Sequence, residues 1–280
     1  MIIKNYFYIV FFCASALLTA CLPEPLPVNN VPVLENTVVV GSQELPDEFI
    51  AISLTKSFGA LDAGPDSDIE ALLDELLIDS VEMFIEVAGQ NYQLQNLTNG
   101  FYLGTGIPEI VGEEYTLSFI SPLNDKPVIS KSNLLPFIGF DSLEVSLNET
   151  TFDTLININL WIEDPDQKNW YMVNVQTFND DYDIQDRPYT ELLDDIGFNG
   201  ELYHHEFTIP FRDYEPGDTI FVSMANINED YYQFLKLRKD QRFSLLDGLG
   251  EPINYPTNVE NGLGFFHTHQ PDIRIVLFGQ

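Results

Sequence analysis

The stretch LININLWI, residues 155–162, constrains the fold more than any other part of the chain. Ile156, Ile158, Leu160 and Ile162 alternate with Asn157, Asn159 and Trp161. A strand places such residues on opposite faces, so the four aliphatic side chains meet a core while the amides and the indole do not. Comparable runs recur along the chain: TVVVGS, FIAISLT, VEMFIEVAG, NYQLQNL, GFYLGTG and EEYTLSFIS in the first half. SLEVSLN, NWYMVNVQTF, HEFTIPF, DTIFVSMANI and DIRIVLFG follow in the second. They are rich in Val, Ile, Phe, Tyr and Thr, and turn residues separate them at the spacing of a β-sandwich. IEVAGQNYQLQ predicts a hairpin turning at Gly89-Gln90-Asn91.

Two segments break the pattern. In DSDIEALLDELLI, Asp66 to Ile78, residues Ile69, Leu72, Leu73 and Leu76 fall at helical spacing behind Ser67 as N-cap, with Glu70 three residues on. NEDYYQFLKLRKDQ, Asn228 to Gln241, opens with acids and closes with cations, which matches the helix dipole, and Asn228 can cap it. SNLLPFIGFD, Ser132 to Asp141, mixes proline and glycine with apolar residues and reads as a crossing between domains. The expected fold is therefore mainly β, with two β-sandwich-like domains and one or two short inserted helices. The N-terminal sandwich is expected over residues 37–131 and the C-terminal β-rich domain over 132–280.

The N-terminus predicts a destination. One cation, Lys4, precedes an apolar run from Tyr6 to Leu18, and small residues lead to Cys21. That is the layout of a secretory signal over residues 1–20, short for a transmembrane span. Leu18-Thr19-Ala20-Cys21 resembles the bacterial lipobox, which makes Cys21 the expected lipidation site and acyl chains the expected anchor. Four prolines within residues 21–36 read as an extended spacer. Cys13, the only other cysteine, falls in the signal, so no disulfide is expected in the exported chain.

Charge narrows the partners. With 44 Asp+Glu against 12 Lys+Arg the chain carries −32, which repels nucleic acid and anionic membrane surfaces. Its 13% aromatic and 45% hydrophobic content belongs to a folded body and not to a disordered acidic tail.

Candidate sites are few. All four histidines lie late: His204, His205, His267 and His269. His267 and His269 share a strand face, and one of His204 or His205 could complete a three-imidazole zinc site with a water in the fourth position. The competing reading makes both pairs exposed edge or loop residues. The acidic run Asp180, Asp181, Asp183 and Asp186 fails the EF-hand template, since Asp186 and Leu192 stand where glycine and glutamate are needed. It leaves only an irregular calcium loop open, and no other cofactor is expected. No G-x-S-x-G occurs, and Glu109 occupies the third glycine position of GTGIPEIVG. Catalysis is not expected. Lys236, Arg238, Lys239 and Arg242 depart from the general acidity, directly after Tyr231, Tyr232, Phe234 and Leu235. They read either as a docking patch built on Tyr231, Phe234 and these cations, or as a helix whose apolar residues pack inward and whose cations answer neighbouring acids.

Three pieces of the second half, DPDQKNWYMVNV, GDTIFVSMANINEDYYQFLK and EPINYPTNVENGLGFF, resemble the DUF4249 lipoproteins of Bacteroidetes. VVVGS…FIAISLTKSF and NGFYLGTGIPEIVGEEYTLSF resemble it more loosely. The resemblance ends before His267-Thr268-His269, which reads as this chain's own addition. It implies an outer-membrane lipoprotein, tethered to lipid and acting with a TonB-dependent receptor in nutrient capture or uptake. Cell-surface exposure is the expectation, with the periplasmic face left open because Glu24 is the only acid close after Cys21. Two alternatives stand beside it: a metal-dependent hydrolase using the C-terminal histidines, and a purely structural envelope lipoprotein. Asp79-Ser80-Val81, Asp141-Ser142-Leu143, Asp153-Thr154-Leu155 and Asp218-Thr219-Ile220 also resemble the O-glycosylation motif of secreted Bacteroidetes proteins.

Overall fold

Alternating apolar residues build four sheets that pair face to face. The computed structural model describes residues 35–45, 49–58, 69–149, 154–179, 188–211, 214–242 and 255–278. The signal, Cys21, nearly all of the spacer, Ser67 and the acidic run Asp180–Asp186 lie outside the described residues.

The first half supplies β1 (Val38–Leu45), β2 (Phe49–Lys56), α1 (Ile69–Leu76), β3 (Phe84–Val87), β4 (Gln90–Gln93), β5 (Gln95–Thr98), β6 (Phe101–Gly104), β7 (Glu114–Ile120) and β8 (Pro127–Asn133). The second half supplies β9 (Ser142–Glu149), β10 (Thr154–Glu163), β11 (Trp170–Phe178), β12 (Tyr189–Asp194), β13 (Leu202–Pro210), β14 (Thr219–Asn226) and α2 (Glu229–Arg242). Three strands close the chain: β15 (Val259–Glu260), β16 (Leu263–Phe265) and β17 (Asp272–Leu277).

One sandwich packs the sheet β16-β1-β2-β6-β5 on β15-β8-β7-β3-β4. Its core includes Val40, Ile52, Leu54, Ile85, Tyr102 and Leu117. The other packs β13-β10-β9 on β12-β11-β14-β17 around Ile156, Ile158, Leu160, Ile162, Val173 and Val222. The period of two in LININLWI thus does what it predicts: all four aliphatic residues are buried, while Asn157, Asn159 and Trp161 lie on the opposite, partly solvated face.

Both expected helices form, each shorter or shifted by a residue or more. Asn228, expected as a cap, sends its amide nitrogen to the carbonyl of Asn133 at 3.1 Å and to Nδ1 of His267 at 3.4 Å. The hairpin expected in IEVAGQNYQLQ turns at Ala88-Gly89 and not at Gly89-Gln90-Asn91, because Val87 pairs with Gln90. A type I′ two-residue hairpin needs positive φ at both central positions, and Ala88 (50°) and Gly89 (75°) supply it.

SNLLPFIGFD runs from one core cluster to the other. Leu134, at one end of SNLLPFIGFD, is buried in the first core, and Phe140, near the other end, in the second. The boundary expected at 131/132 falls inside β8. Residues 259–265, assigned in sequence to the second domain, return to the first: β15 pairs with β8, and β16 pairs in parallel with β1. A local reading of strand periodicity carries no information about such distant pairing, which is why it is missed.

Two motifs of the family resemblance hold this architecture together. In DPDQKNW, the buried Asp164 carboxylate accepts from the Tyr171 hydroxyl and the Gly200 amide, while Asn169 donates to the Gln167 carbonyl. Burial, and then the adjacent carboxylate, push the Tyr171 hydroxyl well above its ordinary range, so it acts only as a neutral donor. In NVENGLGFF, the Asn258 side chain substitutes for a strand's main chain. Its Oδ1 accepts from Phe266 N at 2.9 Å, and its Nδ2 donates to Phe266 O at 2.7 Å and Lys131 O at 2.9 Å.

Candidate functional site

Helix α2 lies where the two sandwiches meet, and its residues separate by helical spacing. Tyr232, Leu235 and Lys239 share one face. Tyr232 and Leu235 pack on Met172, Ala225 and Ile227 over the outside of the β11–β14 sheet. Tyr231, Phe234 and Arg238 share the neighbouring face, at i, i+3 and i+7. They turn to β16, with Tyr231 and Phe234 ring centroids 5.3 and 5.2 Å from that of Phe265.

Between this second face and the outside of the β1–β2 ladder lies a cleft of about 550 Å³. Its floor is small side chains. Val39 pairs with Thr55 and Gly41 with Ser53, four outward positions on the two strands. The walls are aromatic: Tyr231, Phe234, Tyr255 and Phe265. Arg238 completes the lining with its guanidinium over the Phe234 ring, 5.4 Å from the centroid. Among the described residues no carboxylate lines the cleft. Lys131, Lys168, Lys239 and Arg274 each pair with an acid, whereas Arg238, like Lys56, Lys126 and Lys236, has no acidic partner among the described residues.

The basic run predicted as one docking patch is therefore divided. Tyr231, Phe234 and Arg238 form the cleft. Lys236 sits over Tyr232 at 5.8 Å, and Lys239 reaches Glu191 at 2.8 Å, tying the helix to β12. The Arg242 side chain lies outside the described residues. Glu191 receives His205 at 3.7 Å as well as Lys239 and the Tyr189 hydroxyl, and these groups hold its carboxyl down at about 2.

His267 and His269 are not exposed edge residues. Only 1% and 6% of their surfaces are accessible, at the junction just beyond β16. Their rings stack at 5.2 Å and 12°, and His267 stacks on Tyr231 at 4.2 Å, continuing the aromatic row of the cleft wall inward. The backbone of His267 is held by Ser42, whose hydroxyl accepts from its N–H at 2.7 Å and donates to its carbonyl at 3.1 Å. Ser132 Oγ accepts from both the N–H and the hydroxyl of Thr268, leaving its own proton for His267 Nδ1 at 3.5 Å. The Asn228 amide also donates toward that nitrogen, so the neutral ring carries its proton on Nε2. That Nε2 is buried with no hydrogen-bond partner among the described residues.

His204 lies apart, stacked on Trp161 at 4.5 Å on the outer face of β10–β13, and His205 points to the other face beside Tyr203. Among the described residues no three His, Cys, Asp or Glu side chains converge as a metal-binding set. Of the four motif threonines and serines, Ser80 and Ser142 are exposed, Thr154 is half-buried and Thr219 is buried in the strand ladder.

Burial pushes both imidazoles down, His267 well below its ordinary 6.5 and His269 to about 4. In the unfolded chain each binds a proton near 6.5, so the unfolded state holds more protons in between. Stability is then full above about pH 6.5 and falls as the pH drops from there toward about 4, by about 1.4 kcal/mol per pH unit for each imidazole. Urea unfolding at pH 7.5 and 5.0 measures this. The double variant His267→Phe, His269→Phe should show a flatter dependence; an unchanged slope would rule the pair out as its source.

The sequence showed Tyr231, Phe234 and Arg238 but not the floor beneath them. Val39, Gly41, Ser53 and Thr55 carried a faint signal, being the outward, small-residue positions of two strands whose inward positions are aliphatic.

These features define a mainly β protein of two sandwiches, joined by a helix that walls an aromatic cleft. The sequence matches the family described as a domain of unknown function (DUF4249) over residues 28–273, and the chain belongs to that family. The matched span includes His267 and His269, so the two histidines do not lie beyond the family region. Among solved structures, a DUF4785 family protein from Legionella pneumophila is similar at 8% identity and a TM-score of 0.23. The similarity covers 69% of this chain and 53% of that one, so the chain spans about half that protein's length. No curated protein matches the sequence.

Proposed function

We propose that this chain is a lipid-anchored outer-membrane binding protein of Bacteroidetes that works beside a TonB-dependent transporter in capturing or admitting a nutrient. The observation that carries the reading is the cleft: about 550 Å³, aromatic-walled, and holding a guanidinium with no acidic partner among the described residues. This volume lies in the range of small-molecule sites, which are mostly apolar with a few placed polar groups. Leu18-Thr19-Ala20-Cys21 and the Pro-rich residues after it support a tether and a spacer. A tether raises the local concentration of the body near a membrane partner, so a weak direct contact suffices. The buried setting of His267 and His269 favours a structural role for that pair over hydrolysis.

Two measurements test the proposal. Cys21→Ser should move the protein from the membrane fraction to the soluble one, and retention in the membrane would remove the lipid anchor. Gentle solubilisation and purification through a tag on this chain should recover a large β-barrel transporter. Recovery of this chain alone would sink the partnership.

A further inference from the structure

We infer that the cleft between α2 and the β1–β2 ladder binds a small amphipathic carboxylate, an apolar or aromatic body ending in one anionic group. The inference deepens the reading of this chain as a binding protein, and it does not depend on the transporter partnership.

Charge singles the cleft out. A chain with 44 acids and 12 cations would, by composition alone, line most surface concavities with carboxylates. Among the described residues this cleft has none, and it holds Arg238. The acids of the helix itself lie elsewhere: Glu229 pairs with Lys168, and Asp230 and Asp240 are exposed outside the lining.

Geometry then says which group Arg238 would hold. Its guanidinium carbon lies over the Phe234 ring, 5.4 Å from the centroid. A guanidinium carries its N–H donors around the edge of a plane, the fork that a carboxylate meets with two parallel hydrogen bonds. The planar fork is itself pre-organised, so less rotamer freedom is lost per hydrogen bond when the anion arrives.

The rest of the cleft suits an apolar body. Tyr231, Tyr255 and Phe265 offer ring faces and edges. The floor stays low because Gly41 has no side chain and its partner Ser53 is small; a Cβ added at Gly41 would stand 2.6 Å from Ser53 Oγ. Large residues at these rungs would have filled the space, as aliphatic ones fill the opposite face of the same strands. A ligand with a flat hydrocarbon part against the rings and its carboxylate at Arg238 meets every feature of the lining.

The test uses the full-length, detergent-solubilised protein and a matched pair of probes. Naphthaleneacetate and naphthaleneacetamide share one body and differ in charge. Each is read by its displacement of the fluorescent anion anilinonaphthalene sulfonate. The carboxylate should compete on the order of tenfold better than the amide, since a hydrogen-bonded ion pair is stronger than its neutral counterpart. Arg238→Gln should bring the carboxylate's competition down to that of the amide measured on the same variant. Thr55→Trp, which fills the floor without touching the arginine, should abolish displacement by both. Urea midpoints of both variants establish that they fold.

Equal competition by the two probes on the wild type would overturn the ligand class. Displacement insensitive to Thr55→Trp would place the probe elsewhere and overturn the site, as would no displacement by either probe. A wild type with no charge preference but intact transporter copurification rejects this inference and leaves the partnership standing. The reverse pattern rejects the partnership alone.

Discussion

Gly264→Ala is expected to destabilise the protein by about 4 kcal/mol or more, enough to unfold a domain of ordinary stability. Gly264 sits in the middle of β16 at a φ of 92°, where an L-residue is strained. Collision costs more than this strain. A Cβ at this position would stand 1.9 Å from the Val40 carbonyl oxygen and 2.9 Å from that residue's carbonyl carbon and nitrogen, all backbone of β1. No rotamer relieves a clash with the main chain, so β16 must leave β1 or the sheet must open. Gly89→Ala is the control. Gly89 also has positive φ, at 75°, but an added Cβ there meets nothing within 4 Å. It should cost about 1 kcal/mol, from backbone conformation alone. Urea unfolding of both variants separates strain from collision. A Gly264→Ala loss no larger than that of Gly89→Ala would show that the β1–β16 approach is not tight in solution.

Asp164→Ala should be the next most damaging change, at about 3 kcal/mol. The substitution removes the acceptor of the Tyr171 hydroxyl and of the Gly200 amide together, and a buried donor without an acceptor loses its full hydration. Tyr171 is completely buried, so water cannot take the place of the carboxylate without loosening the β10–β11 connection. Adding Tyr171→Phe to Asp164→Ala should recover about 1 kcal/mol of stability, because the orphaned hydroxyl is gone. The double-mutant cycle in chemical denaturation measures this coupling. Additive losses would mean that the hydroxyl does not depend on Asp164.

What the sequence disclosed and what it concealed follow the reach of the interactions involved. Ile156, Ile158, Leu160 and Ile162 declared their face because a strand's period is written in neighbouring residues. The face assignment of Tyr231, Phe234 and Arg238 was equally open to helical spacing, although the cations around them blurred it into a single patch. Partners were the concealed part. Nothing local to Leu263–Phe265 says that it runs parallel to β1, more than two hundred residues away in sequence. His267 and His269 misled for the same reason. Two polar residues in alternation suggest a solvated edge, and their burial is decided by Ser42, Ser132, Asn228 and Tyr231, which come from three distant segments. The cleft was concealed most fully, since it exists only where a helix from one half covers a ladder from the other.

The return of β15 and β16 also sets an order of events. A ribosome delivers the chain from its N-terminus, so β1 and β8 emerge long before the residues that cover their outer edges. Until Phe265 is available, both sheets of the first sandwich present bare main-chain edges, the surfaces along which incomplete β proteins aggregate. The segment that closes them follows β8 by more than a hundred residues, and the pairing is of the long-range kind that forms slowly. A chain cut short before residue 259 would therefore lose more than a terminal strand: its oldest half would be left as the sticky one.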